Sequence, residues 1–207
     1  MNEYVQYLSE IIPQKDSLKI VKTEARKYYK EHTAKECLDI YPILYASSHF
    51  QIQEVGVFLA GYIADEYKEA LDFLHDTVSL HPSWKVQETL AMSFDNYCKK
   101  IGYKNALPLI KEWFEDENYN IRRAASEGLR VWTSRPYFKD HPEVAIKLLS
   151  SHKEDDSEYV RKSAGNCLKD ISKKYPELIK EELQSWDITN KKIKQVYKLA
   201  SKFIESI

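Results

Sequence analysis

Apolar residues recur at offsets 0, +4, +8 and +11 from Ile121 (Ala125, Leu129, Trp132) and again from Val160 (Ala164, Leu168, Ile171). At about 100° per residue these offsets fall on one face of an α-helix. The same frame fits Val86, with Ala91 one place late and Phe94 at +8. It fits Val55 loosely, with Ala60 and Ile63, and Ile193 more weakly, with Leu199 and Ile204. The five anchors stand 31, 35, 39 and 33 residues apart. Around them the pattern predicts a chain of short helices. One covers residues 2–12 and closes at Pro13. A second is capped by Asp16, and a third starts at Thr33 and ends before Pro42. Residues 50–65 and 67–80 form the next pair. The Val86 helix runs to about Lys100, and Asn105 caps the following one, with Pro108 in its first turn. The Ile121 helix continues to Trp132. The non-periodic segment 133–142 follows. Helices then start at Pro142, before Val160, at Pro176 and at Thr189 or Asn190.

A helix pair that recurs at this period cannot bury its apolar side alone and must stack on its neighbours. The prediction is an all-α, HEAT-like α-solenoid of about five to six helix pairs, forming a single domain over residues 1–207. The Trp-Leu-Gly-Tyr pattern of tetratricopeptide repeats is absent. Few Gly (5) and Pro (7) in 207 residues agree with a helical chain.

Charge changes the picture by half. Residues 1–100 hold 11 Lys and Arg against 15 Asp and Glu, net −4; the remaining residues hold 20 against 17, net +3. This permits a basic surface in the C-terminal half. No apolar run approaches the roughly 20 residues that span a membrane, and no export signal is expected. Three widely spaced cysteines, Cys37, Cys98 and Cys167, point to buried, reduced thiols and a cytoplasmic protein.

The polar face opposite the anchors holds Arg123, Glu127 and Arg130 on one helix. On the next it holds Lys162, Asn166 and Lys169, with Asp170 at the edge; Glu88 has the matching place on the Val86 helix. Rows of Arg and Lys spaced by about 10 Å between helices can follow a phosphate backbone. A carboxylate flanked by Arg stays ionised and can stabilise developing positive charge. The competing reading is structural: Arg at +1 of each helix pairs with acids of the next repeat. Both stand at this point.

The runs Asn120-Ile-Arg-Arg-Ala-Ala-Ser-Glu-Gly-Leu-Arg130 and Asp156-Ser-Glu-Tyr-Val-Arg-Lys-Ser-Ala-Gly-Asn-Cys-Leu-Lys-Asp-Ile-Ser-Lys-Lys-Tyr-Pro-Glu-Leu178 resemble the DNA alkylation repair family. The resemblance is clear over about residues 84–185. It implies a HEAT-like array that cradles double-stranded DNA and removes purines alkylated on N3 or N7 by hydrolysing the N-glycosidic bond. By position it implies Asp170 and Glu127 as catalytic carboxylates. Arg130 is implied as a DNA contact and Glu88 as a lesion contact; Arg123, Lys162 and Lys169 of the shared polar face, with Arg135, are further expected DNA contacts, and Trp132 is a candidate lesion contact. The family's glycosylases usually follow Glu-Gly-x-Arg with Pro and an aromatic residue; here Val131-Trp132 follows, so Trp132 is either core packing or lesion-facing. Some relatives keep the array without excising bases. The alternatives are therefore a non-catalytic DNA-structure binder and a protein-binding scaffold.

No Gly-rich phosphate loop, His-Glu-x-x-His or Cys-x-x-Cys occurs, so no metal or cofactor is expected. A monomer with no membrane partner is expected. The N-terminal half is rich in tyrosine, including Tyr4, Tyr7 and Tyr28, which can offer rings to a ligand or fill helix interfaces.

Overall fold

The computed structural model describes residues 2–12 and 17–204. They form thirteen α-helices with three short 3-10 turns and no strand. The helices are α1 (Glu3–Ile11), α2 (Leu18–Glu31), α3 (Ala34–Tyr45), α4 (Phe50–Ile63), α5 (Lys68–Asp76), α6 (Trp84–Ile101) and α7 (Tyr103–Phe114). They continue with α8 (Tyr119–Gly128), α9 (Pro136–Asp140), α10 (Pro142–Ser150), α11 (Glu158–Ser172), α12 (Pro176–Gln184) and α13 (Lys191–Ala200). Contacts group the chain into two compact units, residues 1–101 and 102–207.

All five anchors sit on the second helix of a pair and are buried: Val55 on α4, Val86 on α6, Ile121 on α8, Val160 on α11 and Ile193 on α13. In the first unit α4 packs against α2, α3 and α6. Its side chains are buried on nearly every face, so this helix is the hydrophobic centre of the unit. In the second unit α11 packs between α8 and α13, while α7 and α10 back onto α8 and α11. The architecture is the all-helical HEAT-like fold.

Several boundaries differ from the sequence reading for identifiable reasons. The breaks expected at Pro13 and Asp16 lie outside the described residues. Thr33 caps α3 in a reciprocal capping box with Glu36. That helix continues through Pro42, because Tyr41 and Leu44 are buried on the far turn. Helix α7 starts at Tyr103, ahead of Asn105: Gly102 turns the chain at φ 86°, a left-handed conformation that suits glycine. Pro108 therefore falls in the second turn. Segment 67–80 divides into α5 and a 3-10 turn, Val78–Leu80, and segment 133–142 contains α9. In α13 the buried positions after Ile193 are Val196 and Ala200, and Leu199 and Ile204 are half-buried.

Close backbone approach ties the second helices together. A Cβ added at Gly61 of α4 would lie 2.5 Å from the Ser93 Cβ of α6. Ser93 also donates its hydroxyl to the Val57 carbonyl at 3.1 Å. Similarly, a Cβ on Gly165 of α11 would come within 2.9 Å of Leu199 on α13. Gly61→Ala is expected to lower stability by about 1–3 kcal/mol, the usual cost of overpacking, measurable as a lower urea midpoint.

Candidate nucleic-acid interface and acid–aromatic cleft

The arginines at +1 of α8 and α11 are structural. Arg122 of α8 donates to Asp155 through Nε (2.7 Å) and Nη2 (2.9 Å). Its Nη1 reaches the carbonyls of Asp116 (2.7 Å) and Glu117 (2.9 Å) in the turn before its own helix. One repeat later Arg161 makes the same set: Gln195 at 2.8 Å, and the carbonyls of Asp155 at 2.6 Å and Asp156 at 3.0 Å. The Arg122 and Asp155 side chains are only 15% and 6% exposed. Burial pushes the Asp155 carboxyl up, but Arg122 and the Ser157 amide outweigh it and hold it below its ordinary value.

The predicted acids converge on Arg130. This residue follows the end of α8; its Nη1 donates to Glu127 Oε1 at 3.0 Å and its Nε to Asp170 Oδ2 at 3.2 Å. Lys173 takes the other Asp170 oxygen at 3.0 Å, and the Ser163 hydroxyl donates to Glu127 Oε2 at 2.8 Å. Burial raises the Asp170 carboxyl, yet Lys173 and Arg130 keep it below the usual range, so it is ionised at neutral pH. Glu127, Arg130 and Asp170 therefore form one network, as their offsets suggested, with Lys173 as a member the sequence reading left out.

Of the two placements open for Trp132, core packing is the one observed. Helix α8 stops at Gly128, and Val131 adopts φ 56°, ψ 48°, unusual for a β-branched residue. That turn drives Trp132 into the core, where it is fully buried against Phe114 and Phe138. Its indole N–H donates to the Ser126 carbonyl at 3.1 Å. The side chain packs the core and does not face a ligand. Arg135 reaches back to the Gly128 carbonyl at 3.4 Å and the Ser134 hydroxyl at 3.1 Å, closing the C-terminal end of α8. Arg123 is half-buried on α8.

Lys162 is exposed and pairs with Glu158 at 2.7 Å, an i,i+4 contact. Lys169 donates to Asn166 at 2.7 Å. Lys162 and Asn166 line an open groove of about 430 Å³ with Lys191, Lys194 and Lys198 of α13. Those three exposed lysines stand at i, i+3 and i+7 and make the groove basic.

Glu88 lies in the first unit, on α6. It lines a cleft of about 200 Å³ with Leu18, Glu54, Trp84, Lys85 and Met92. Trp84 stands one helical turn before Glu88 and is 67% exposed. The Lys85 ammonium lies 4.8 Å from the Phe50 ring centroid and 5.9 Å from that of Trp84. Glu54 is buried, and its Oε1 accepts from the Thr89 hydroxyl at 3.2 Å. Leu18 is shared with a second groove, of about 400 Å³, lined by Lys19, Lys22, Thr23 and Arg26 on α2. Sequence reasoning missed Trp84 and this α2 row. Both carried a signal: aromatic and acid at i,i+4, and cations at i, i+3 and i+7. Among the described residues no cluster of His, Cys, Asp or Glu is arranged to hold a metal, and no helix is long and apolar enough to cross a membrane.

Stacked helix pairs carrying basic grooves define a HEAT-like helical-repeat protein. The chain belongs to the DNA alkylation repair enzyme family, whose model matches residues 13–201. AlkD2 from Streptococcus mutans is similar at 48% identity and a TM-score of 0.94, over 99% of both chains. The smu.31 protein of Streptococcus mutans UA159 has 50% identity and a TM-score of 0.90, over 97% of this chain and 99% of that one. The uncharacterized protein YhaZ of Bacillus subtilis is 30% identical over 166 residues, 66% of this chain and 46% of YhaZ. The matched region thus spans about half the length of that relative. The fold also matches Pseudomonas fluorescens AlkC, an alkylpurine DNA glycosylase solved with DNA containing an abasic site analog, at a TM-score of 0.65 and 22% identity. That match covers 83% of this chain and 47% of AlkC.

The depressed Asp155 carboxyl adds stability that is present above its ordinary pKa of 3.8 and is lost as pH falls through the lower folded value. Asp155→Asn is expected to cost about 3 kcal/mol at pH 7, as for a broken buried pair. The gap to the unsubstituted protein should shrink below about pH 4, measured by urea unfolding at pH 7 and pH 3.

Proposed function

We propose that the protein binds duplex DNA and excises purines alkylated on ring nitrogen, with the reaction in the Trp84–Glu88 cleft. The observation that carries this reading is an exposed indole one turn from a carboxylate in a single cleft, with the cations of α2 beside it. Lys19, Lys22 and Arg26 hold phosphates and set the strand's position without reading sequence. The Trp84 ring face attracts a base that carries positive charge. As the C1′–N bond breaks, its electron pair leaves with the base, which becomes neutral, and positive charge moves onto the sugar. The Glu88 carboxylate stabilises that charge. A water oxygen then bonds to C1′, and its proton passes to Glu88 and on to solvent.

In this reading Asp170 and Glu127 position Arg130, and their charge is balanced by Arg130 and Lys173. The groove of Lys162, Lys191, Lys194 and Lys198 adds a phosphate-binding surface in the second unit. Surface pairs such as Lys162–Glu158 contribute about 0–1 kcal/mol, so a phosphate can displace them.

A second reading, a DNA binder without excision, is favoured by one observation: the acids expected to be catalytic are both engaged by Arg130. One experiment separates the two. The protein is incubated with duplex DNA bearing N7-methylguanine and N3-methyladenine, and released bases are quantified. The first reading expects release above buffer, about 100-fold slower in Glu88→Gln and clearly slower in Trp84→Ala. It also expects weaker, less salt-dependent binding in Lys22→Ala/Arg26→Ala. Salt-dependent duplex binding with no base release selects the second reading, and no binding at low salt overturns both.

A further inference from the structure

A larger cavity, about 700 Å³, lies between α1, α2 and α3 and shares no lining residue with the grooves above. Helix α2 is two-faced here. Lys19, Lys22 and Arg26 line one side, whereas Glu24, Lys27, Tyr28 and Glu31 line this cavity, well over 100° around the helix. Its aromatic wall is continuous. Tyr28 stacks on His32 at 3.8 Å and 5°, Tyr4 meets Tyr28 at 4.5 Å, and Tyr7 follows Tyr4 at 6.0 Å. The rings are held in place by hydrogen bonds: the Tyr4 hydroxyl donates to the Glu24 carbonyl at 3.3 Å and the Tyr7 hydroxyl to Glu24 Oε2 at 3.4 Å.

Charge in the cavity has one dominant sign. Among the described residues, Glu3, Glu24 and Glu31 line it with the Lys27 ammonium and the His32 ring. Burial, and after it Glu24, pushes the Tyr4 hydroxyl well above its ordinary value. The Lys27 ammonium already sits 5.7 Å from the Tyr7 ring centroid, so the wall admits a cation over a ring face. DNA phosphates are repelled from such a site, and the DNA reading leaves it without a role.

We propose that this cavity binds an organic ammonium group, carried by a free polyamine or by a lysine side chain of a peptide. Ring faces supply cation–π attraction and the carboxylates supply net charge. The proposal is independent of base excision.

The test is an NMR titration of the isotope-labelled full chain with spermidine, with a trilysine peptide and with 1,8-octanediol, an uncharged chain of similar length. Saturable shifts at Tyr4, Tyr7 and Tyr28 are expected with a cation and not with the diol. Stronger binding of spermidine identifies a free polyamine as the source; stronger binding of the peptide identifies a lysine-bearing partner. Glu24→Gln/Glu31→Gln is expected to weaken binding at least about tenfold, equivalent to about 1.4 kcal/mol. Tyr7→Ala, at an exposed position, should also weaken it by removing one ring face. The proposal is overturned if neither cation gives saturable shifts at these tyrosines, if the diol binds equally, or if the two variants bind as the original chain does.

Discussion

Within each unit the second helices stack because each anchor side chain has nowhere else to leave water. Val55, Val86, Ile121 and Val160 are completely buried, each on a helix that shares its apolar face with a neighbouring repeat. A single pair of this length would expose that face. Small residues set the spacing: Gly61 against Ser93 and Gly165 against Leu199 leave no room for a methyl group. Packing therefore fixes which sides of α6, α8, α11 and α13 remain for polar work. In the second unit Arg122 joins α8 to its own preceding turn and to Asp155 in the turn before α11, and Arg161 joins α11 to its own preceding turn and to Gln195 of α13.

Two contrasting kinds of cation recur, beside the ammonium of Lys100, which Asp65, Glu66 and Tyr29 hold in place. Arg122, Arg130, Arg135 and Arg161 reach carboxylates, carbonyls or amides through several nitrogens, which suits the planar guanidinium. The open grooves of α2 and α13 are lined chiefly by lysine, a hydrated point charge on a flexible stem. This division explains why rows that look alike in sequence differ in role. A guanidinium fixed by neighbours holds the scaffold; an ammonium in an open groove can exchange its partner for a phosphate. The acid-lined cavity of α1, α2 and α3 has the opposite sign and suits the opposite ligand.

Periodicity at 0, +4, +8 and +11 was enough to identify the helical repeat, its anchors and part of its core, because burial on one helix face is a local property of the chain. The +1 arginine ladder was legible for the same reason, as was the meeting of Glu127, Arg130 and Asp170. The end of α8 was not. Trp132 keeps the spacing of a core residue, but it enters the core through a left-handed turn at Val131 and a 3-10 turn, so its helical placement was mistaken. Pro42 misled in the other direction, since burial of Tyr41 and Leu44 carries α3 past it.

What the amino-acid order alone determined is therefore the class of fold, the membership of the apolar faces and the family's short motifs. What tertiary structure decided is which polar residues meet. Leu18, Glu54 and Trp84 come from three helices, and Lys162 and Lys194 from two. Their convergence depends on the angles and offsets at which helices pack, and no repeat period encodes those directly.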